Sequence, residues 1–457
     1  MTKRKLRACL VVLLCWLCAA AAGPAGAEPV LMISIDGLRP DYVLQADAHH
    51  LQIPTLRLFL KLGAYAQGVV GVIPTVTYPS HTTLVTGVWP AEHGIYGNVT
   101  SDTLRRTTDT WYWYARDVKV PTLWDAAAQA GMVTASVSWP VTVGRDSVKY
   151  LIPEYWYTRT PTDVPLMEAL SRPDGWLRAA EQKLGPYNED SVEAVQGDEV
   201  RTKFSLEILA TEKPAFMTIH LAALDHYEHA TGPFSAKSDA TLEALDGMVS
   251  RLIAAARAND PTAAIAIVSD HGFLPVERDV NLLLPFLQAG LIKLKPAVHS
   301  WDAPKIASWD AMFWPAGGSA AVVLRDKNDA AMAARVKSTL EKMKEDMQFQ
   351  IARIIEQPQL TQMGGFPDAA FLVEMKPGAE PGWALQGDIS VASAQKGTHG
   401  YLPDRPELRA SFFIMGPHVA VGRDLGVIDM RQIAPTIAGI LGVSLPTAKA
   451  QKLAISQ

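Results

Sequence analysis

Acidic, histidine and threonine side chains follow short apolar stretches at separated places along the chain. In chain order the set is Asp36, Thr77, Asp225, His229, Asp270, His271 and His399. Carboxylate oxygen and imidazole nitrogen without any thiolate suit Zn²⁺, with Mn²⁺ or iron as alternatives. Two ions held about 3.5–4 Å apart can stabilise both the attacking and the leaving oxygens of an in-line displacement. The set is therefore compatible with two-metal phosphoryl transfer.

Each of these residues has an ordinary structural explanation when it is taken alone. Asp36 could cap a helix, Asp270 and its neighbour could lie in a surface loop, and a lone His399 is more often a hydrogen-bonded polar residue than a ligand. Asp225 and His229, by contrast, stand four positions apart, a spacing that lets both meet one cation. It is the combination along the chain that favours a metal centre.

The expected nucleophile at such a centre is a hydroxyl group, because coordination lowers its pKa and makes the alkoxide accessible near neutral pH. Thr77, in the segment Pro-Thr-Val-Thr-Tyr-Pro-Ser-His, is the candidate. Asn98 follows it in the same part of the chain. An Asn amide and a backbone N–H near the nucleophile could hold a non-bridging phosphate oxygen, as an oxyanion hole does.

The elements that must position these residues are the apolar segments before them. Residues 30–35, 214–221 and 263–269 have the composition of buried parallel strands. Residues 238–258 have helical periodicity, and residues 121–138 predict a helix followed by a strand. Because the carboxyl ends of parallel strands share one edge of a sheet, where ligands bind, this pattern predicts a doubly wound α/β fold with the site at that edge.

Two stretches depart from the alternation. Residues 281–377 predict a small α+β insert packed beside the main sheet. Residues from 150 to about 200 begin rich in Pro, Trp and Tyr and favour a cap or specificity loop. The predicted organisation is a signal peptide at 1–27 and one catalytic domain at 28–457 that carries both segments.

The N-terminus has the layout of a secretory leader. Basic residues precede an apolar run from Ala8 to Ala22, and Ala25-Gly-Ala27 suits cleavage. The run is shorter than the roughly 20 residues of a spanning helix, so we expect export to the periplasm or medium and no stable membrane span after cleavage. An uncleaved membrane anchor is the alternative. The three cysteines, at 9, 15 and 18, all lie in this leader, so the mature chain would have no disulfide.

The bulk composition agrees with a globular chain. The 457 residues are 48% hydrophobic and 19% charged, with a formal net charge of −5. Mild acidity and the absence of long basic runs argue against bulk nucleic acid as a partner. A small-molecule substrate is expected instead.

Together the motifs resemble those of the alkaline phosphatase superfamily and, within it, the nucleotide pyrophosphatase/phosphodiesterase group, over nearly all of Val30 to about Pro446. The resemblance implies an alkaline-phosphatase-like, mostly parallel sheet flanked by helices, and two Zn²⁺ per chain. One ion would be held by Asp36, Thr77, Asp270 and His271, and the other by Asp225, His229 and His399. Thr77 would form a phospho-threonine intermediate, with Asn98 and the N–H of Tyr78 contacting the phosphoryl oxygen.

Details of the motifs bear on the substrate. Related monoesterases carry a Lys-x-Arg pair after the strand that ends here near Ser138, whereas this chain has Ser-Trp-Pro, which resembles the diesterase version with Trp139 as an aromatic wall. Sulfatases need a Cys or Ser where Thr77 stands. Nucleotide-handling members stack the base on a tyrosine whose position is His220 here, so a lipid-type diester remains open beside a nucleotide. His81 and His93 are expected to be structural.

The predicted function is an exported two-metal phosphodiesterase or nucleotide pyrophosphatase. A phosphomonoesterase of the same superfamily and a non-catalytic exported binding protein are the alternatives.

Overall fold

The computed structural model describes residues 27–100, 111–155, 163–187, 194–296, 299 and 303–456. The predicted leader, apart from its last residue, lies outside these residues. Among the described residues, no helix combines the length and the apolar character needed to cross a membrane.

Twenty strands are present in the described residues. In chain order they are β1 (Val30–Ile35), β2 (Ala64–Tyr65), β3 (Gly68–Val70), β4 (Thr134–Val137), β5 (Tyr150–Ile152), β6 (Phe216–Leu221), β7 (Ala264–Val268), β8 (Leu274–Asn281), β9 (Ile292–Leu294), β10 (Ile306–Trp309), β11 (Ala311–Ala316), β12 (Ser319–Leu324), β13 (Ile351–Glu356), β14 (Ala369–Met375), β15 (Gly378–Gly382), β16 (Ser390–Ala392), β17 (Gly397–Thr398), β18 (Phe412–Met415), β19 (Arg423–Asp424) and β20 (Val427–Asp429).

The α-helices alternate with these strands. In chain order they are α1 (Pro40–Leu44), α2 (Pro54–Leu62), α3 (Thr77–Thr86), α4 (Pro90–His93), α5 (Leu123–Gln129), α6 (Asp163–Leu170), α7 (Trp176–Leu184), α8 (Ala194–Glu212), α9 (Ala223–Thr231), α10 (Ala236–Asn259), α11 (Leu283–Gln288), α12 (Ala330–Glu345), α13 (Gln357–Gln362) and α14 (Ile433–Ile440). Short 3₁₀ helices occupy Ala115–Asp117, Met347–Phe349, Pro406–Leu408 and Met430–Gln432.

The main sheet has eight strands in the order β19-β2-β18-β7-β1-β6-β4-β5. From β7 to β5 all neighbours are parallel, and β18 joins β7 in the antiparallel direction. Ile35 at the end of β1 pairs with Leu221 at the end of β6. The carboxyl ends of β1, β6 and β7 therefore meet at one edge, as predicted from the sequence.

Helices cover both faces of this sheet, because successive side chains of a buried strand point to opposite sides. Leu31, Ile33 and Ile35 pack in one core with α2, α8 and α10. Val30 and Met32 pack in a second core with α3, α5 and α14. The predicted mostly parallel sheet flanked by helices is confirmed.

The region after β8 forms the separate α+β unit that the sequence predicts. Strands β11, β12, β14 and β13 make an antiparallel sheet in that order. Helix α12 contributes Val336, Leu340 and Met343 to its core.

The segment after Lys149 differs from the expected cap. Its first residues form β5, the edge strand of the main sheet, paired with β4. Leu177 and Ala180 of α7 pack in the same core as α8. The described part of this segment therefore belongs to the main body. The sequence did not predict this, because a strand of three residues and one amphipathic helix carry too little periodicity to be recognised.

His93 is a buried histidine that supports the loop after α4. Its Nδ1 accepts the N–H of Ile95 at 3.1 Å, so its Nε2 carries the proton and donates to Thr83 Oγ1 at 3.1 Å. Burial lowers the pKa of His93 from 6.5 to about 3. The folded protein therefore holds this imidazole neutral.

We predict that acid destabilises the fold partly through His93. Below about pH 6.5 the unfolded chain binds a proton there and the folded chain does not, so stability falls by up to about 1.4 kcal/mol per pH unit as the pH drops towards 3. Urea unfolding from pH 7 to 4 should show a shallower pH dependence for His93→Gln than for wild type. His50→Asn, at an exposed site, should leave the slope unchanged, and an equal slope in His93→Gln would contradict the assignment.

Candidate active site

Two groups of side chains that could hold a metal ion meet at the carboxyl edge of the main sheet. Site I consists of Asp36, Asp270 and His271, and site II consists of Asp225, His229 and His399. In each group the ligand atoms lie within 4.8 Å of one another. The structure thus brings together six of the seven predicted ligands, in the same partition that the resemblance implies.

Site I is built from the ends of two neighbouring strands. Asp36 follows β1 directly, and its N–H donates to Leu221 O at 2.9 Å, which continues the ladder to β6. Asp270 and His271 follow β7 after one residue. His271 Nε2 lies 3.1 Å from Asp270 Oδ2 and 3.5 Å from Asp36 Oδ1.

Site II joins a helix to a strand. Asp225 and His229 lie one turn apart on α9, so they share one face. His399 follows the short strand β17, which pairs with β8. The Nε2 atoms of His229 and His399 lie 3.5 and 3.7 Å from Asp225 Oδ1.

The two sites are neighbours. The rings of His271 and His399 stack with centroids 3.6 Å apart and planes inclined by 9°. One residue of each group is thus in direct contact with one residue of the other group.

Each site histidine is held by the nitrogen that faces away from its site. Nδ1 lies 3.0 Å from Gly397 O in His229, 3.0 Å from Thr75 O in His399, and 3.2 Å from Gly272 O in His271. A carbonyl only accepts, so we assign the proton to Nδ1 in all three rings. The lone pair of Nε2 then points into the site, as metal binding requires.

The carboxylates of site I are held in a similar way. Asp36 Oδ2 lies 2.9 Å from His220 Nε2, and Asp270 Oδ1 accepts the N–H of Gly37 at 3.1 Å. Four candidate ligand atoms of the two sites are buried and have no hydrogen-bond partner among the described residues. These atoms are Asp36 Oδ1, Asp225 Oδ1, Asp270 Oδ2 and His271 Nε2.

The electrostatics favour a cation between these groups. Burial, followed by the charges of Asp270 and Asp225, raises the pKa of Asp36 well above its usual value. Burial also opposes the charged form of His271, but Asp270, Asp36 and Asp225 outweigh it and raise the pKa of His271 to about 9. The negative potential at site I thus stabilises a bound proton where the unpaired oxygen and nitrogen atoms converge. A divalent cation at the same place would be stabilised by the same potential. The donors fit a metal.

Thr77 is the first residue of α3, which is buried over its whole length. His81, one turn further on, ties this helix to site I. Its Nδ1 lies 2.8 Å from Thr77 O, its Nε2 lies 2.8 Å from Ser34 Oγ, and its ring approaches Asp270 Oδ2 to 3.7 Å. Thr77 therefore lies at the N-terminus of α3, where the helix dipole stabilises a negative charge.

Asn98 and Tyr78 contact each other. The N–H of Tyr78 donates to Asn98 Oδ1 at 2.9 Å. The side-chain oxygen of Asn98 is therefore turned to α3, and its NH₂ group is the part left to donate elsewhere. Asn98 also lines a cavity of about 640 Å³ together with His229 and His399.

Trp139 does not line this cavity, contrary to the expectation of an aromatic wall. It is fully buried, its Nε1 donates to His81 O at 3.4 Å, and its ring packs edge-to-face on His81. Trp139 supports α3 from behind. The ring of Tyr78 is also buried, with its hydroxyl bonded to Glu154 Oε1 at 2.8 Å.

The sequence did not predict the contribution of His220 and Glu154 to site I. His220 was considered only as the replacement of a stacking tyrosine, but it is buried between Asp36 and Glu154. A histidine inside the otherwise apolar run of β6 was the available signal. Glu154 carried no signal, because its partners are distant in sequence.

The sequence is similar to those of known phosphodiesterases and nucleotide pyrophosphatases. The family model for type I phosphodiesterase / nucleotide pyrophosphatase matches residues 30–402. The human ectonucleotide pyrophosphatase/phosphodiesterase family member 1 is 25% identical over 264 residues, which are 54% of this chain and 24% of that protein. The mouse bis(5′-adenosyl)-triphosphatase is 27% identical over 164 residues, which are 34% of this chain and 33% of that protein.

The matched part of the chain thus spans about a quarter to a third of the length of these curated relatives. Among solved structures, human ectonucleotide pyrophosphatase/phosphodiesterase 5 superimposes with a TM-score of 0.64 at 18% identity, covering 93% of this chain and 97% of that one. This likeness shows a shared fold. Because the family model covers more than half of the sequence, the chain belongs to the type I phosphodiesterase / nucleotide pyrophosphatase family.

Proposed function

We propose that the protein is an exported two-metal hydrolase of phosphodiester or pyrophosphate bonds that uses Thr77 as its nucleophile. The observation that carries this proposal is the convergence of four buried, unpartnered ligand atoms from two adjacent sites. Zn²⁺ in both sites suits the nitrogen and oxygen donors. The leader would direct the chain to the periplasm or the medium.

The chain's own residues have separate roles in this proposal. Sites I and II would hold the ions, which when bound would stabilise the charge on the attacking and leaving oxygens. The Thr77 hydroxyl attacks phosphorus and displaces the leaving oxygen, which gives a phospho-threonine. Water then attacks the same phosphorus, and Thr77 leaves as the free hydroxyl. The N-terminus of α3 favours the negative charge that develops beside it.

Asn98 is proposed to hold a non-bridging phosphoryl oxygen through its NH₂ group. The Tyr78 N–H fixes the orientation of the amide by bonding to its oxygen. A donor that is oriented before the substrate arrives needs no reorganisation during the reaction. In this arrangement the Tyr78 N–H acts on Asn98, and its predicted contact with the substrate would require that bond to open.

The cavity beside site II supports a diester substrate. Asp279, Glu380 and Asp388 line it, and no lysine or arginine is among the described lining residues. A phosphomonoester is a dianion near neutral pH, whereas a diester carries one charge and a second organic substituent. Acidic walls without a nearby cation disfavour the extra charge, and the volume accommodates the substituent. A nucleotide or a lipid-type diester meets both conditions.

We predict that Thr77→Ala lowers turnover of bis-p-nitrophenyl phosphate at least about 10³-fold, because the attacking hydroxyl is lost. Zinc content should stay near the wild-type value, since six other ligands remain. Release of p-nitrophenol and metal analysis of the same samples provide the measurement. Thr77→Ser should keep part of the activity, and an active Thr77→Ala would show that another group attacks.

Removal of metal should abolish hydrolysis. Dialysis against a chelator is expected to take the protein from about two equivalents of zinc to none, with activity lost in parallel, and added Zn²⁺ should restore both. His229→Ala should bind fewer equivalents than wild type, because it removes one site II ligand. Full activity in metal-free protein would exclude the two-metal proposal.

The substrate class is tested by comparing two chromogenic esters. The purified mature protein should have a kcat/KM at least about 10-fold higher for bis-p-nitrophenyl phosphate than for p-nitrophenyl phosphate, a difference of about 1.4 kcal/mol in transition-state stabilisation. Asp388→Asn, which removes one exposed cavity charge, should narrow this ratio. A preference for the monoester would favour the phosphomonoesterase alternative.

A further inference from the structure

A buried chain of side chains connects site I to the residue after the candidate nucleophile. His220 Nε2 lies 2.9 Å from Asp36 Oδ2, and His220 Nδ1 lies 3.1 Å from Glu154 Oε2. The hydroxyl of Tyr78 donates to the other oxygen of Glu154 at 2.8 Å. Four side chains from distant parts of the sequence, those of Asp36, Tyr78, Glu154 and His220, are thus joined behind the site.

Both ring nitrogens of His220 face oxygen acceptors only. Nε2 faces Asp36, and Nδ1 faces Glu154 together with Ser138 O at 3.1 Å. The backbone carbonyl of Ser138 can only accept, so Nδ1 carries a hydrogen, and Nε2 is the ring nitrogen that contacts Asp36.

The contact to Asp36 decides which carboxylate oxygen faces site I. Oδ2 is occupied by His220, and Oδ1 is left without a partner on the side of His271. A buried carboxylate without this donor would be free to turn. Glu154 in turn contacts the opposite nitrogen of His220, which keeps Nε2 directed at Asp36.

The other end of the chain reaches the first turn of α3. Tyr78 bonds to Glu154 through its hydroxyl and to Asn98 through its N–H at 2.9 Å. The side chain of Tyr78 therefore links Glu154 to the peptide group between Thr77 and Tyr78. The ligand orientation in site I and the position of the nucleophile helix depend on the same buried pair.

We propose that His220 and Glu154 are positioning residues that orient Asp36 towards a metal in site I and fix the start of α3 against it. The proposal rests on the two-metal function proposed above. It predicts a selective effect on site I, whereas a purely structural role would lower stability without distinguishing the two sites.

The test uses Co²⁺ as the probe, titrated into metal-free full-length protein and followed by visible absorption and calorimetry. Wild type should bind two equivalents. His220→Ala should retain one equivalent at wild-type affinity and bind the other about 10–100-fold more weakly, the usual effect of losing a hydrogen-bond partner of a ligand. His220→Gln, which can still donate to Asp36, should recover part of the loss.

Ligand-deleted backgrounds assign the weakened site. In His229→Ala, where site II is disabled, adding His220→Ala should weaken the remaining Co²⁺ binding. In His271→Ala, where site I is disabled, adding the same change should have no effect. This comparison separates a selective loss from a general one.

Two further variants keep the test decisive if His220→Ala folds poorly. Glu154→Gln preserves the shape but replaces one of the two carboxylate oxygens that contact His220 and Tyr78 with an NH₂ group, and should weaken site I several-fold. Asp246→Asn changes another buried carboxylate, which accepts the N–H groups of Thr55 and Leu56. It should alter thermal stability while both cobalt affinities stay at the wild-type values.

Two equivalents at wild-type affinity in both His220→Ala and Glu154→Gln, or equal weakening of both sites, would overturn the positioning role. Failure of the wild-type protein to bind Co²⁺ would overturn the two-metal function itself. The two failures are therefore distinguishable.

Discussion

The concentration of buried carboxylate charge at one edge of the main sheet is the constraint on which the rest of the site depends. Asp36, Asp225 and Asp270 converge there with three histidines. Ionised carboxylates that leave water without compensation are costly. This cost is offset in part at site I, where one oxygen of each carboxylate contacts a nitrogen, the N–H of Gly37 or Nε2 of His220. The other oxygen of each carboxylate faces a common point. Parallel strands make the arrangement possible, because their carboxyl ends deliver residues from distant parts of the chain to one line.

Rigidity comes from the groups behind the ligands. Backbone carbonyls fix the tautomers of His229, His271 and His399. His81 joins helix α3 to site I, and Trp139 packs behind His81. Thr77, the proposed nucleophile, is therefore carried by a fully buried helix rather than by a loop. In this account catalysis depends on preorganisation, since neither the ligands nor the helix must move when substrate binds.

The sequence predicted the central sheet and the convergence of six candidate ligands, because each of these residues adjoins a strongly apolar strand or a close partner such as Asp225 with His229. It failed where the deciding contact is long-range. Trp139 follows a strand as a wall residue would, but tertiary packing places it in the core. Glu154 lies 66 positions from His220, so no local pattern connects them. The edge strand β5 was missed because three residues carry no usable periodicity.

The central claim is that the two groups of side chains are a pair of metal sites acting on one phosphoryl group. The most direct measurement is a crystal structure of the zinc-loaded protein with anomalous scattering recorded at the zinc edge. The account predicts two peaks about 3.5–4 Å apart, one among Asp36, Asp270 and His271 and the other among Asp225, His229 and His399. A single peak, or zinc bound only elsewhere on the molecule, would contradict it.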